Sequence, residues 1–176
     1  MIILIFGVSN VGKTTVGKIM ADTLGISFYD LDDEIKRFYN ITLEEFVHTG
    51  KIKERDAKRG SLIEHIIESN RDCVIAITPM SYAEYFCCFL TMENVLAIEL
   101  RDSAENIFDR LVFSDENDNV YEDTEYKNLH REYYINEINE DLVWYGKVYN
   151  AIKNKYNVSN QSPEQVANQI IDIYDL

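Results

Sequence analysis

Gly7-Val8-Ser9-Asn10-Val11-Gly12-Lys13-Thr14 follows directly on the apolar run Ile2-Ile3-Leu4-Ile5-Phe6 and opens a stretch with Val16, Ile19, Met20, Thr23 and Leu24 at helical spacing. The continuous apolar run is the pattern of a strand covered on both faces. The segment from Gly7 to Thr14 fits G-x-x-x-x-G-K-[ST] without a mismatch. In that pattern the glycines let successive backbone amides turn inward as an anion nest at a helix N-terminus. The lysine brings a point charge to the β- and γ-phosphates, and the threonine hydroxyl is placed to ligate Mg²⁺. The stretch predicts that Gly7, Asn10, Val11, Gly12, Lys13, Thr14 and Thr15 hold a nucleoside triphosphate.

Outward from this motif, short apolar runs alternate with helical stretches. Gly25 stops the first helix, and 26–29 reads as a second strand. Residues 31–47 read as helical, broken near Asn40, with Thr42-Leu-Glu-Glu resembling a helix start. A long helix over 52–69 carries Leu62, Ile63, Ile66 and Ile67 toward the core. Strands are expected at 73–77 and 95–100, with helical or irregular chain over 82–90 between them. Ser103 caps a helix bearing Ile107, Phe108, Leu111 and Val112. Residues 113–125 resemble an exposed loop, 126–153 a helix, 156–159 a short fifth strand, and Pro163 begins the last helix. Strands alternating with helices predict an α/β domain with a five-stranded parallel sheet flanked by helices.

The chain has 176 residues, 46% hydrophobic and 27% charged, as expected of one globular domain. Seventeen lysines and arginines against 31 acids give a net charge of −14. That balance argues against nucleic acid and anionic membrane as partners. Cys73, Cys87 and Cys88 show no metal-ligand spacing and read as reduced thiols of a cytoplasmic protein. The first apolar run is too short for a signal peptide or a membrane span. His48, His65 and His130 form no metal-binding pattern.

Asp30, Asp32 and Asp33 follow the second strand, where open parallel sheets bind ligands. Two residues apart on a continuing strand, Asp30 and Asp32 would point to one side. One carboxylate there can hold a metal's water shell, and another can take or orient an acceptor proton. Capping of the next helix is the open alternative.

With these carboxylates the sequence resembles the shikimate kinases. The likeness runs from Gly7 to Gly17-Lys18, through Leu24-Gly-Ile-Ser-Phe-Tyr-Asp30-Leu-Asp32-Asp33, and on through Ile41-Thr-Leu-Glu-Glu-Phe-Val-His-Thr-Gly50 to Arg55. It implies a phosphate-loop kinase fold of three layers, with an acceptor segment near 31–60 and a lid near 112–126. It implies that Thr14 and Asp30 serve Mg²⁺, and that Asp32 contacts acceptor hydroxyls and acts as base. Arg55 would pair with an acceptor carboxylate, and Arg110 would lie close to ATP. Asn160-Gln-Ser-Pro163 resembles the family's adenine-facing loop, with helix capping by Ser162 as the alternative.

The chain also departs from this family. A glycine triplet after the third strand is replaced by Thr78-Pro79-Met80, and proline has no amide hydrogen to offer. The lid has no arginine; it has Asp115, Glu116, Asp118, Glu122, Asp123 and Glu125. Lys127, His130 and Arg131 are the nearest substitutes. Tyr145 stands where a third arginine is expected, with Lys147 as the closest replacement, and Trp144 and Tyr145 read as core packing. The resemblance implies an ATP- and Mg²⁺-dependent kinase acting on a small hydroxylated metabolite, with Lys13 and Asp32 as its catalytic groups. The alternatives are a nucleotide-binding regulatory or partner-binding protein descended from a kinase, or a kinase for a different polyol or nucleotide acceptor.

Overall fold

The computed structural model describes residues 1–115 and 117–176; Glu116, counted above among the lid acids, lies outside the described residues. Five strands form one sheet: β1 (Ile2–Phe6), β2 (Ser27–Asp30), β3 (Cys73–Ala76), β4 (Val95–Arg101) and a last edge strand, Asn154–Asn157. Their order is β2-β3-β1-β4 followed by the edge strand, and every neighbouring pair is parallel. The apolar run of β1 therefore lies at the centre. Ile3 and Ile5 face one layer of helices, and Ile2, Leu4 and Phe6 face the other.

On the first face pack α1 (Lys13–Leu24) and the C-terminal helix Pro163–Tyr174, through Val16, Met20, Val166 and Ile170. On the second lie α2 (Leu31–Tyr39), α3 (Leu43–His48) and α4 (Ile52–Ser69), through Leu31, Ile35, Phe46, Leu62 and Ile63. A capping box of Thr42 and Glu45 starts α3. Two 3₁₀ turns, Ala83–Tyr85 and Phe89–Thr91, fill the stretch before β4, and α5 (Ala104–Asp109) starts on the Ser103 cap.

Three expectations are corrected. Residues 113–125 are not simply a loop: β5 (Phe113–Ser114) and β6 (Val120–Tyr121) pair as an antiparallel hairpin. The Asp115 carboxylate accepts the backbone N–H groups of Asn117 (2.8 Å) and Asn119 (2.9 Å) and the Asn119 side chain (2.9 Å), so one acid of this stretch builds the turn. The helix expected over 126–153 is two helices, α6 (Thr124–Leu129) and α7 (Arg131–Val148), separated where His130 leaves helical backbone angles. The last strand, β7 (Asn154–Asn157), starts two residues before the expected 156–159 and ends at Asn157, leaving Val158 and Ser159 outside it. As an edge strand it buries only Tyr156, and its polar Lys155 and Asn154 bond Glu99 and Ala97. The helix after it is α8 (Pro163–Tyr174).

Gly60 lets α4 approach the turn at Tyr85. A Cβ there would lie 2.6 Å from the Tyr85 carbonyl oxygen. We expect Gly60→Ala to lower stability by about 1–3 kcal/mol, because backbone must retreat from backbone. The urea midpoint reports it.

Candidate active site

The phosphate loop leaves the carboxyl end of β1, between β3 and β4. Gly7 has φ +143°, and a Cβ there would meet the Leu100 carbonyl oxygen at 2.7 Å, so no other residue fits this turn. Gly12 is the N-cap of α1 and provides no side-chain cap, which leaves the first amides of the helix to an anion. Lys13 is buried, and its ammonium donates to the Val8 carbonyl at 2.8 Å. Burial pulls its pKa down to about 8, against the opposing pull of Asp32 and Asp30.

A cleft of about 340 Å³ opens above the loop. Lys13, Thr14, Asp30, Asp32 and Thr78 line it, and Val112, Phe113 and Val120 of the hairpin region close one side. The Thr14 hydroxyl donates to Asp30 Oδ2 at 2.6 Å, and Asp30 Oδ1 accepts the Asp32 N–H at 3.0 Å. Asp30 is thus the N-cap of α2 and also the partner of the loop threonine. The strand ends at Asp30, so Asp32 enters the cleft from the first turn of α2, not from a continuing strand. Burial, then the charge of Asp30, pushes the Asp32 carboxyl up, and a hydrogen bond with Thr78 opposes this. Asp33 faces out and pairs with Lys36 at 2.8 Å.

A hydroxyl and a carboxylate oxygen side by side suit a hard divalent cation that keeps most of its shell as water and phosphate, as Mg²⁺ does. Among the described residues no cluster of three His, Cys, Asp or Glu side chains stands ready for a metal, and the cysteines are free.

Arg110 donates from Nε to the Asn10 carbonyl at 3.2 Å and from Nη2 to Asp102 at 2.6 Å, tying the end of α5 to the phosphate loop. Its ion-pair partner is Asp102, not the neighbouring Glu105 or Asp109. Arg55 is not among the cleft-lining residues; it donates to the carbonyls of Gly50 (2.9 Å) and Thr49 (3.4 Å). One helical turn further, Arg59 is 8% exposed and pairs with the fully buried Asp56 at 2.8 Å. Its charge acts on Asp32, and its Nε has no partner among the described residues. The sequence carried a signal for it, since Arg59 leads Leu62, Ile63 and Ile66 along the apolar face of α4.

The loop after β3 spends its amides internally. Pro79 has none, Met80 donates to the Tyr149 hydroxyl at 3.1 Å, and Ser81 and Tyr82 donate to Asp56 Oδ2 at 2.7 and 3.0 Å. Lys127 donates to the Asp109 and Leu111 carbonyls and, with Arg131, lies over the Phe108 ring, while His130 packs on Tyr126. None of the three lines the cleft. Tyr145 stacks on Tyr149 at 5.5 Å, whereas Trp144, expected in the core, is 54% exposed. Lys147 shares that outer face of α7 with Val143 and Trp144. Ser162 caps α8 in a capping box with Gln165.

The family model described as Shikimate kinase matches residues 9–175. The chain belongs to the shikimate kinase family. It is therefore a small-molecule kinase, and its family implies the use of ATP. The Shikimate kinase of Bacillus pumilus (strain SAFR-032) is 26% identical over 175 residues, covering 99% of this chain and 89% of the relative. The crystal structure of shikimate kinase from Bacteroides thetaiotaomicron superposes with a TM-score of 0.77 at 18% identity, covering 100% and 99% of the two chains. That of shikimate kinase from Acinetobacter baumannii in complex with shikimate does so at 0.73 and 20%, covering 98% and 92%. The five-stranded parallel sheet between helical layers is the fold these structures share with this family member. No described helix is long and apolar enough to cross a membrane.

Proposed function

We propose that this cleft transfers the γ-phosphoryl group of ATP, with Mg²⁺, to a hydroxyl of a small metabolite. The observation that supports it is the convergence of Lys13, the Thr14–Asp30 pair and Asp32 on one cleft. Lys13 and the loop amides hold phosphate charge, Arg110 braces the loop beside the nucleotide, and Thr14 and Asp30 hold the metal. When bound, Mg²⁺ supplies positive charge that offsets the phosphate oxygens. Asp32 orients the acceptor hydroxyl and takes its proton, its raised carboxyl being suited to a base. Residues 112–126 act as lid and 31–60 as acceptor segment of a single domain, and the apolar side chains of Val112, Phe113 and Val120 exclude water. The free thiols suit a reducing compartment, and we place the protein in the cytoplasm.

Shikimate is the acceptor that the relatives' names suggest. We expect it to be used with a high KM. Arg55 is turned to loop carbonyls, Tyr145 stands where a third arginine is expected, and the loop after β3 spends its amides on Asp56 and Tyr149. A lost charge-assisted hydrogen bond costs roughly 1.5–3 kcal/mol, or about 10- to 150-fold in binding. Steady-state kinetics with shikimate and neutral polyols test it; a micromolar KM for shikimate would refute the expectation.

A further inference from the structure

The helix α7 is apolar on two opposite sides. Ile138, Leu142 and Tyr145 pack against the core. With about 100° between successive residues, Val143 and Trp144 fall on the far side. They are 61% and 54% exposed, and Trp144 is the one tryptophan of the chain. Together with Asn136, Asn139, Glu140 and Lys147 they line a groove of about 460 Å³. Single exposed apolar side chains need no explanation, but a helix with a second apolar side, tryptophan included, has room for a second packing partner.

The charges of this groove indicate which partner. The chain carries −14, yet the groove holds one acid, Glu140, and one base, Lys147. Neither has an ion-pair partner among the described residues. They are two helical turns apart, about 10 Å along the axis, with Val143 and Trp144 midway between them. A strongly acidic or strongly basic partner would satisfy one of these charges and repel the other. A second copy of the same helix, run antiparallel about a two-fold axis through the midpoint, satisfies both. It lays Glu140 of each copy against Lys147 of the other and Trp144 against Val143.

We propose that this face of α7 joins two copies of the chain, with Val143 and Trp144 at the centre of the contact and a Glu140–Lys147 pair on either side. A two-fold contact needs a self-complementary patch, and an acid and a base equally spaced about an apolar centre make one. Packed helices approach to about 8–10 Å, close enough for both pairs to form. The remaining acids of the two copies repel, but physiological salt screens that repulsion beyond about 8 Å. A contact made by one helix from each copy is small, so the dimer is a weak one, with Kd in the range of about 1–100 μM.

Sedimentation velocity of the whole chain from about 1 to 200 μM tests this, since it spans that range. The emission of Trp144 is followed over the same series. The expected result is a shift from monomer to dimer, with the emission moving to shorter wavelength as the indole leaves water. Trp144→Ala should weaken the dimer at least about tenfold. Glu140→Lys and Lys147→Glu should each weaken it about tenfold, because each turns two weak attractions into two repulsions. Glu140→Lys combined with Lys147→Glu should return Kd to within about threefold of the parent, as coupled charges require. All three positions are exposed, and far-UV circular dichroism checks that each variant keeps the fold. A monomer at every concentration overturns the proposal and leaves the face to solvent or to a different protein. So does a dimer that withstands Trp144→Ala, or a double reversal as weak as the single ones. None of these outcomes depends on the kinase reading of the cleft.

Discussion

Lys13→Ala is expected to weaken ATP binding far more than adenosine binding and to lower kcat by on the order of 10²–10³-fold. The ammonium is buried beneath the loop with one protein acceptor, the Val8 carbonyl at 2.8 Å, so it is free to turn to phosphate. Titration with ATP and adenosine separates phosphate from base recognition, and equal ATP affinity in mutant and parent would remove the premise. The same residue weakens the fold. In the unfolded chain Lys13 keeps its proton to about 10.5, whereas in the native cleft it loses it above about 8. The native state thus binds fewer protons between these values, and stability from this group rises with pH across that window. Below pH 8 the buried charge costs the native state roughly 3 kcal/mol. Lys13→Met should therefore raise the Tm at pH 7 while abolishing turnover, a trade of stability for activity. Bound phosphates restore the charge, so ATP binding near pH 8 should take up a proton. Calorimetry in two buffers of different ionisation enthalpy measures this.

Asp32→Asn should leave MgATP binding largely intact and cut phosphoryl transfer by about 10²–10⁴-fold. The residue enters the cleft from the first turn of α2 beside Thr78, while the metal-side contact with Thr14 belongs to Asp30. Because burial and Asp30 raise the Asp32 carboxyl, the acid limb of kcat/KM should fall above the usual carboxylate range. The sign for stability opposes that of an ion-paired aspartate. The native chain holds this proton to higher pH than the unfolded chain, so a penalty is present at neutral pH and fades as pH falls through the two values. The asparagine variant should lose both the penalty and the acid limb. Parental turnover would reduce Asp32 to a residue of the helix start.

The phosphate loop was legible because its physics is local. A strand, two glycines, a lysine and a threonine must occur in register, and nothing distant changes what their amides can do. Sheet class followed from the spacing of apolar runs, and α1, α4 and α8 were delimited by Gly25, by apolar periodicity and by Pro163. The edge strand β7 was displaced because an edge needs only one buried side chain, and its polar residues carry no alternation to read. The hairpin of β5 and β6 was missed because its turn is built by a carboxylate accepting nearby amides, a pattern that in sequence looks like exposed acid.

Local sequence thus determined the strand, the nest and the two carboxylates after β2, since each depends on spacings of a few residues along one chain segment. The acceptor side was decided by tertiary packing. Arg55 and Arg59 are both basic residues of one helix, but only burial against Asp56 and Phe46 distinguishes the one beside Asp32. The charge that a side chain presents to a ligand depends on which partners already occupy it, and those partners come from segments far apart in the sequence.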